Sequence, residues 1–373
     1  MRFLLTDEQR AFAGSLDAML TAADTPAVAR AWARGDHAPG LALWSRVAEA
    51  GVFALTTPEA YEGVGLLPVE LAVAFVELGR HAVPGPLVET VAVAGLLARL
   101  AELGDAAPAK RLLPGLMAGD RAATLAMPGE GLGQRQGPYA LDADAAGVTL
   151  VVTDDAAGHG SGRAASGTHA DGPAWDTDVR GPGRSGPAAA DRARPASLTT
   201  AAGHGPVRPS ADPVRRLAEP SGAGEVLAEG PQVRDAAAHA AGIARLATAA
   251  QALGVGLALL DRTVAHVKQR TQFGTAIGSF QAVKHRLADT LIGLEFARPL
   301  LYGAALSLAP ADVAAAKVTA CEAACEAART ALQLHGAIGY TDELDLSVWL
   351  RKARPLRSAW GTPAQCRAAV LLA

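Results

Sequence analysis

Aromatic side chains are scarce. They make up 4% of the 373 residues, although 50% of the chain is hydrophobic. Alanine and leucine therefore carry the burial, which favours helices over sheets. Three cysteines cannot build a disulfide framework. Cys321 and Cys325 fall four apart on one expected helix face and Cys366 is remote in sequence, so ligands for a metal centre are lacking. Reduced core thiols of a cytosolic protein are expected instead. A net charge of −3 gives no electrostatic case for nucleic acid or an anionic membrane. The basic runs "RRL" at 215–217 and "RKARPLR" at 351–357 then belong to solvated or phosphate-facing surface. The opening "MRFLLTDEQR" turns acidic at once, unlike a signal peptide. The longest apolar stretch is taken as "VAVAGLLARLAEL", which carries charges and is too short to span a bilayer. No repeat occurs at solenoid periods. A soluble cytoplasmic protein is the expectation.

What is present is helical periodicity, twice interrupted. "LTDEQRAFAGSLDAML" opens with Thr6 as N-cap and Gln9 three residues on, a capping box, with Asp7 and Glu8 in the first turn where the helix dipole favours them. "PGLALWSRVAEAGV", "LPVELAVAFVELGRHA", "LVETVAVAGLLARLAELG" and residues 108–120 continue the helical pattern. From about residue 121 the runs "AATLAMPGEGLG" and "GVTLVVTDD" are strand-like, bounded by Gly, Pro and Asp. Residues 155–210 are Gly-, Pro-, Ala-, Ser- and Arg-rich, and too poor in large apolar side chains to offset ordering entropy, so disorder or loose loops are expected there. "SADPVRRLAEP" and "GEVLAEG" return to short strands. Three long helices follow, from residue 231, from "SFQAVKH" and from "ADVAAAK", the last ending at Gly336. The fold expected is mainly α. An α-helical N-terminal domain (1–120) precedes a reduced β-domain with the Gly/Pro-rich segment (121–230) and a C-terminal four-helix bundle (231–373).

Between two of the long helices stands "RTQFGTAIGSFQAVKH", residues 270–285. A helix start there exposes backbone N–H groups suited to a pyrophosphate. Arg270 adds a planar donor for phosphate oxygens. Phe273 can lie against an adenine or ribose, Gln272 and Gln281 can hydrogen-bond, and the glycines permit close backbone approach.

"RTQFGTAIGSFQAVKHRLAD" resembles a signature of the acyl-CoA dehydrogenase family, and "QLHGAIGYTDEL" resembles that family's turn before its last helices. "LTDEQ", "SADPVRRL" and "WGTPAQCR" fall in the family order. The resemblance covers 230–373 strongly and 1–125 weakly. It implies the three-part fold above and FAD, with the ADP half of each flavin held by the neighbouring subunit. It assigns Arg270, Gln272, Phe273, Gln281, Gln333 and Gly336 to the cofactor's ADP side, and Thr362 near the flavin. Arg245 is the residue expected on the acyl-CoA side.

The family's reaction needs a carboxylate that removes the proton α to the thioester while a β-hydride passes to flavin. By resemblance the carboxylate precedes Gly-Thr near the C-terminus, or sits on the long helix before the break. Here Trp360 and Ala244 occupy those two places, and Ala364 stands where the family carries Gln. The family's Thr-Glu-Pro…Gly-Ser-Asp loop and Trp-(Ile/Val)-(Thr/Ser) strand correspond to "AMPGEGLG" and to "AWDT" around Trp175, so the ring half of the flavin site looks eroded and the ADP half intact. High Ala and Arg with little Lys fits the small actinobacterial members that form heteromeric dehydrogenases for fatty-acid or steroid side chains. Three readings follow. The chain is a subunit supporting α,β-dehydrogenation of an acyl-CoA within a homo- or hetero-oligomer, with an electron-transfer flavoprotein as acceptor. Or it is self-sufficient with another base, for which Glu62, Glu130 and Asp342 are candidates without positional support. Or it is a non-redox acyl-thioester binding or tailoring protein in which Trp360 fills the acyl pocket.

Overall fold

The computed structural model describes residues 4–127, 138–154 and 196–373. Six helices come first: α1 (Asp7–Thr21), α2 (Thr25–Ala33), α3 (Ala38–Glu49), α4 (Pro68–Arg80), α5 (Leu87–Glu102) and α6 (Ala107–Met117). The capping box of α1 forms as the sequence predicts. Thr6 accepts from the Gln9 backbone N–H, and the Gln9 side chain accepts from the Thr6 N–H. Sequence reasoning missed α2, whose nine residues are too few for a clear period.

Strands Ala123–Ala126, Val148–Asp154, Ala196–His204 and Pro220–Glu229 then form one mixed sheet in that spatial order. The first pair is parallel, in register from Ala123 opposite Val148, and the other two pairs are antiparallel. The expectation of disorder over 155–210 fails for its last part. Residues 196–204 are a central strand despite their Ala, Ser, Thr and Gly, because both neighbours supply ladder partners. Residues 155–195 of that expectation, with Trp175, lie outside the described residues, as does Glu130.

The bundle follows: α7 (Pro231–Gln269), α8 (Gln281–Ser307), α9 (Pro310–His335), α10 (Leu346–Leu356) and α11 (Pro363–Leu371). α7 is the spine and packs against α4, α5, α8, α9 and α10. Its most apolar window has a mean hydropathy of 1.6, so α7, and not the run at 91–103, is the longest apolar stretch. That window is 94% buried in the fold. Its composition is explained by packing against helices on several sides.

Candidate functional site

Two places carry unusual chemistry. The first is the corner between α7 and α8. Thr271–Gln272 pairs with Thr275–Ala276 as a minimal hairpin, with Phe273 and Gly274 at its tip. Both tip residues are left-handed, with φ of +54° and +77°, as a tight type I′ turn requires. Glycine adopts that conformation freely, whereas Phe273 is strained by it. The turn leaves Phe273 93% exposed, supported only at its edge by Phe280, 6.3 Å away between centroids. Arg270, Gln272 and Gln281 are exposed beside it, and Arg270 forms no ion pair among the described residues. The N-terminus of the 27-residue α8 has no side-chain cap.

Gln333 and Gly336 reach the same end of the bundle from α9. His266, four residues before Arg270, stacks on His335 with centroids 4.0 Å apart. Burial lowers both imidazole pKa values, which keeps the stacked pair neutral and free of mutual repulsion near neutral pH. Gly336, at φ +65°, faces open space. The residues expected on the ADP side thus converge from two helices.

The second place is a narrow cleft of about 50 Å³ between α5, the sheet domain and the turn after α10. Leu125, Met127, Tyr139, Arg215 and Trp360 line it, together with a carboxylate that the sequence reading did not single out, Glu89. Trp360 is buried and left-handed at φ +55°. Its carbonyl accepts from Arg245 Nε at 2.9 Å, so Arg245 braces this turn. The buried Lys317 ammonium braces the next residue, donating to the Gly361 carbonyl at 2.7 Å and to the Arg357 carbonyl at 3.2 Å. Thr362 completes a capping box with Gln365 at the start of α11. So held, Trp360 donates its indole N–H to Glu89 Oε1 at 3.1 Å.

Glu89 stands in the first turn of α5, with every neighbour from Leu87 to Ala98 buried. An acidic side chain inside such a run was the signal available in the sequence. Its second oxygen, Oε2, is buried without a partner among the described residues. Burial raises its pKa, opposed by Arg215, by a backbone N–H, by the Trp360 donation and by Lys352. Behind it a tight pocket of about 10 Å³, room for one water, is shared with Asp142, Gln251, Arg215 and Lys352. Burial lowers the pKa of Lys352, with Asp212, Asp142 and Glu89 acting against that shift. Ala244 is fully buried. Glu62 is exposed, and Asp342 is an exposed partner of Arg351; neither lines the cleft.

Asp142 makes this region pH-sensitive. Burial carries its carboxyl from 3.8 up to about 7, although Trp32 Nε1–H donates to it at 3.1 Å. The folded chain then binds this proton more tightly than the unfolded chain. The resulting stability is fully present below the unfolded pKa and is lost as pH rises through about 7. Glu77, pushed up to about 7 chiefly by burial, acts in the same sense. Asp142→Asn keeps an oxygen for Trp32 and is expected to flatten the decline of Tm between about pH 4 and pH 8. An unchanged slope in thermal melts would remove Asp142 as its source.

The family profile described as "Acyl-CoA dehydrogenase, N-terminal domain" matches residues 6–120, and that described as "Acyl-CoA dehydrogenase, C-terminal domain" matches residues 234–370. The chain is 30% identical over 330 residues to acyl-CoA dehydrogenase IpdE2 of Mycobacterium tuberculosis, covering 88% of this chain and 85% of that one. Butyryl-CoA dehydrogenase from Megasphaera elsdenii has the same fold, with a TM-score of 0.77, 21% identity and 100% of both chains covered. So does the ChsE4-ChsE5 complex from Mycobacterium tuberculosis, with a TM-score of 0.74, 23% identity and 100% and 98% coverage. The chain belongs to the acyl-CoA dehydrogenase family.

Proposed function

We propose that the protein is a subunit of an FAD-dependent acyl-CoA dehydrogenase that supports α,β-dehydrogenation of an acyl-CoA thioester. The observation that carries this reading is Phe273, a large apolar ring held in solvent by a strained turn beside an uncapped helix N-terminus. Backbone strain of this kind at a non-glycine residue clusters at ligand sites. The chemistry of the corner fits the ADP half of FAD. The first amides of α8 and the guanidinium of Arg270 take pyrophosphate oxygens. Phe273 offers a face to the adenosine, and Gln272, Gln281 and Gln333 offer hydrogen bonds. When bound, FAD supplies the acceptor for the hydride leaving the β-carbon. Leu291, Ile292, Phe296 and Leu300 form an exposed apolar band on α8 just beyond the corner. This band supports a second acyl-CoA dehydrogenase subunit, of the same or a different chain, closing over the site. The pairing of two proteins in the ChsE4-ChsE5 complex supports the heteromeric form. The acceptor proposed is an electron-transfer flavoprotein, and the acyl group a fatty-acid or steroid side chain.

The test is the visible flavin absorption of the chain, purified alone and with a co-expressed partner subunit, before and after acyl-CoA addition. Bleaching in either form supports the reading, and absence of flavin from both removes it. In the flavin-retaining form, Arg270→Ala with Phe273→Ala is expected to lower flavin retained on gel filtration by about tenfold. The melting temperature of the flavin-free protein should shift by less than about 2 °C, because both side chains are exposed. Wild-type retention in that variant would take this corner out of the cofactor site.

A further inference from the structure

We infer that Glu89, arriving from the N-terminal helix α5, is the carboxylate that removes the α-proton of the acyl thioester. This rests on the function proposed above and names a residue outside both sequence positions where a base was sought.

The case is geometric. Trp360 occupies the C-terminal position expected for the base, and its indole N–H reaches back to Glu89 Oε1 at 3.1 Å. The carboxylate therefore lies one side chain away from that position. One oxygen is fixed by the indole, and the other, Oε2, is buried without a hydrogen-bond donor among the described residues. A buried oxygen left without a donor costs free energy, and a site tolerates that cost where a proton must be received. Glu89 lines the narrow cleft on one side and the smaller polar pocket on the other. Asp142 and Lys352 share the small pocket on its other side. The charges facing it are Arg215 from the turn that begins at Asp212, Lys352 from α10 and Asp142 from the loop before the second strand of the sheet. α7 contributes only the neutral Gln251 to the pocket behind it.

The chemistry balances with the flavin as two-electron oxidant. The α C–H bond breaks and its proton forms an O–H bond on Glu89. The freed pair becomes the Cα=Cβ π bond. The β C–H pair leaves as hydride to the flavin. Glu89 then returns its proton through the polar pocket or to solvent.

The experiment uses the flavin-retaining form of the protein in D₂O with saturated acyl-CoAs, from butyryl-CoA to a steroid side-chain thioester, and reads deuterium at C2 by mass spectrometry. Glu89→Gln keeps an oxygen for the Trp360 donation. It is expected to cut exchange by about 100-fold or more, with flavin content and acyl-CoA affinity within about twofold of wild type. Glu89→Asp should recover part of the exchange. Trp360→Phe removes the N–H that favours the charged carboxylate, so the acidic limb of the exchange profile should move to higher pH. Wild-type exchange in Glu89→Gln, or an unmoved profile in Trp360→Phe, overturns the assignment alone. A wild-type protein that binds no flavin and exchanges no acyl-CoA overturns the proposed function, and the assignment with it.

Discussion

Gly254→Ala is expected to cost about 3 kcal/mol or more, enough to lower the denaturation midpoint sharply or to prevent folding. Gly254 lies in α7 where it crosses α4. A Cβ there would stand 1.9 Å from the Val76 carbonyl oxygen and 2.8 Å from the Arg80 backbone N. The contact is reciprocal, since a Cβ on Gly79 of α4 would stand 2.2 Å from the Gln251 carbonyl oxygen. Backbone meets backbone on both sides, so no side chain can rotate away. Relief requires the helices to separate, and α7 is also clamped by α5, α8 and α9. Interiors this dense do not yield locally. Gly242→Ala is the internal control. It lies in the same helix with nothing within 4 Å of its added Cβ, and should stabilise by about 0.5–1 kcal/mol through helix propensity. Urea titrations of the two variants should move the midpoint in opposite directions. Equal effects would refute the close crossing.

How much of this was legible in the sequence depends on what each feature needs. The long bundle helices announce themselves because period and length are local properties. The α7–α8 corner was also legible, because its Arg, Gln, Phe and Gly sit within one short stretch. The strand at 196–204 was not legible. Its residues carry weak strand preference, and its partners, not its composition, make it a strand. Glu89 was the least legible residue of the cleft. The two places the resemblance gives for a base are residues 244 and 360, whereas Glu89 lies 271 residues upstream of Trp360. No local pattern joins the two, and tertiary structure alone brings that carboxylate to that indole. The left-handed Trp360 gave no warning either. A bulky residue there is strained, and it is held by braces from Arg245 and Lys317 that lie far away in sequence.

Trp349→Ala is expected to cost about 3–5 kcal/mol, and Trp349→Phe nearer to about 1 kcal/mol. Trp349 is fully buried on α10. Its indole N–H donates to the Arg80 carbonyl at the end of α4, at 2.8 Å. The Arg262 guanidinium of α7 lies over its ring at 3.8 Å. One side chain thus joins three helices by volume, by a hydrogen bond to a helix C-terminal carbonyl and by a cation–π contact. Alanine loses all three and leaves a cavity that rigid helices cannot close. Phenylalanine keeps most of the volume and a ring for Arg262, and gives up the N–H. The consequence reaches the candidate site because Lys352 follows three residues later on the same helix, and it lines the polar pocket behind Glu89. A shift of α10 moves that charge. Lys352 favours the ionised form of Glu89, so withdrawing it should raise the apparent pKa for C2 exchange in Trp349→Ala. Trp349→Phe, with α10 in place, should keep the wild-type profile. Calorimetry reads the stability difference and the exchange profile reads the displacement. A Trp349→Ala protein that is destabilised yet keeps the wild-type profile would show that α10 holds Lys352 in place without this anchor.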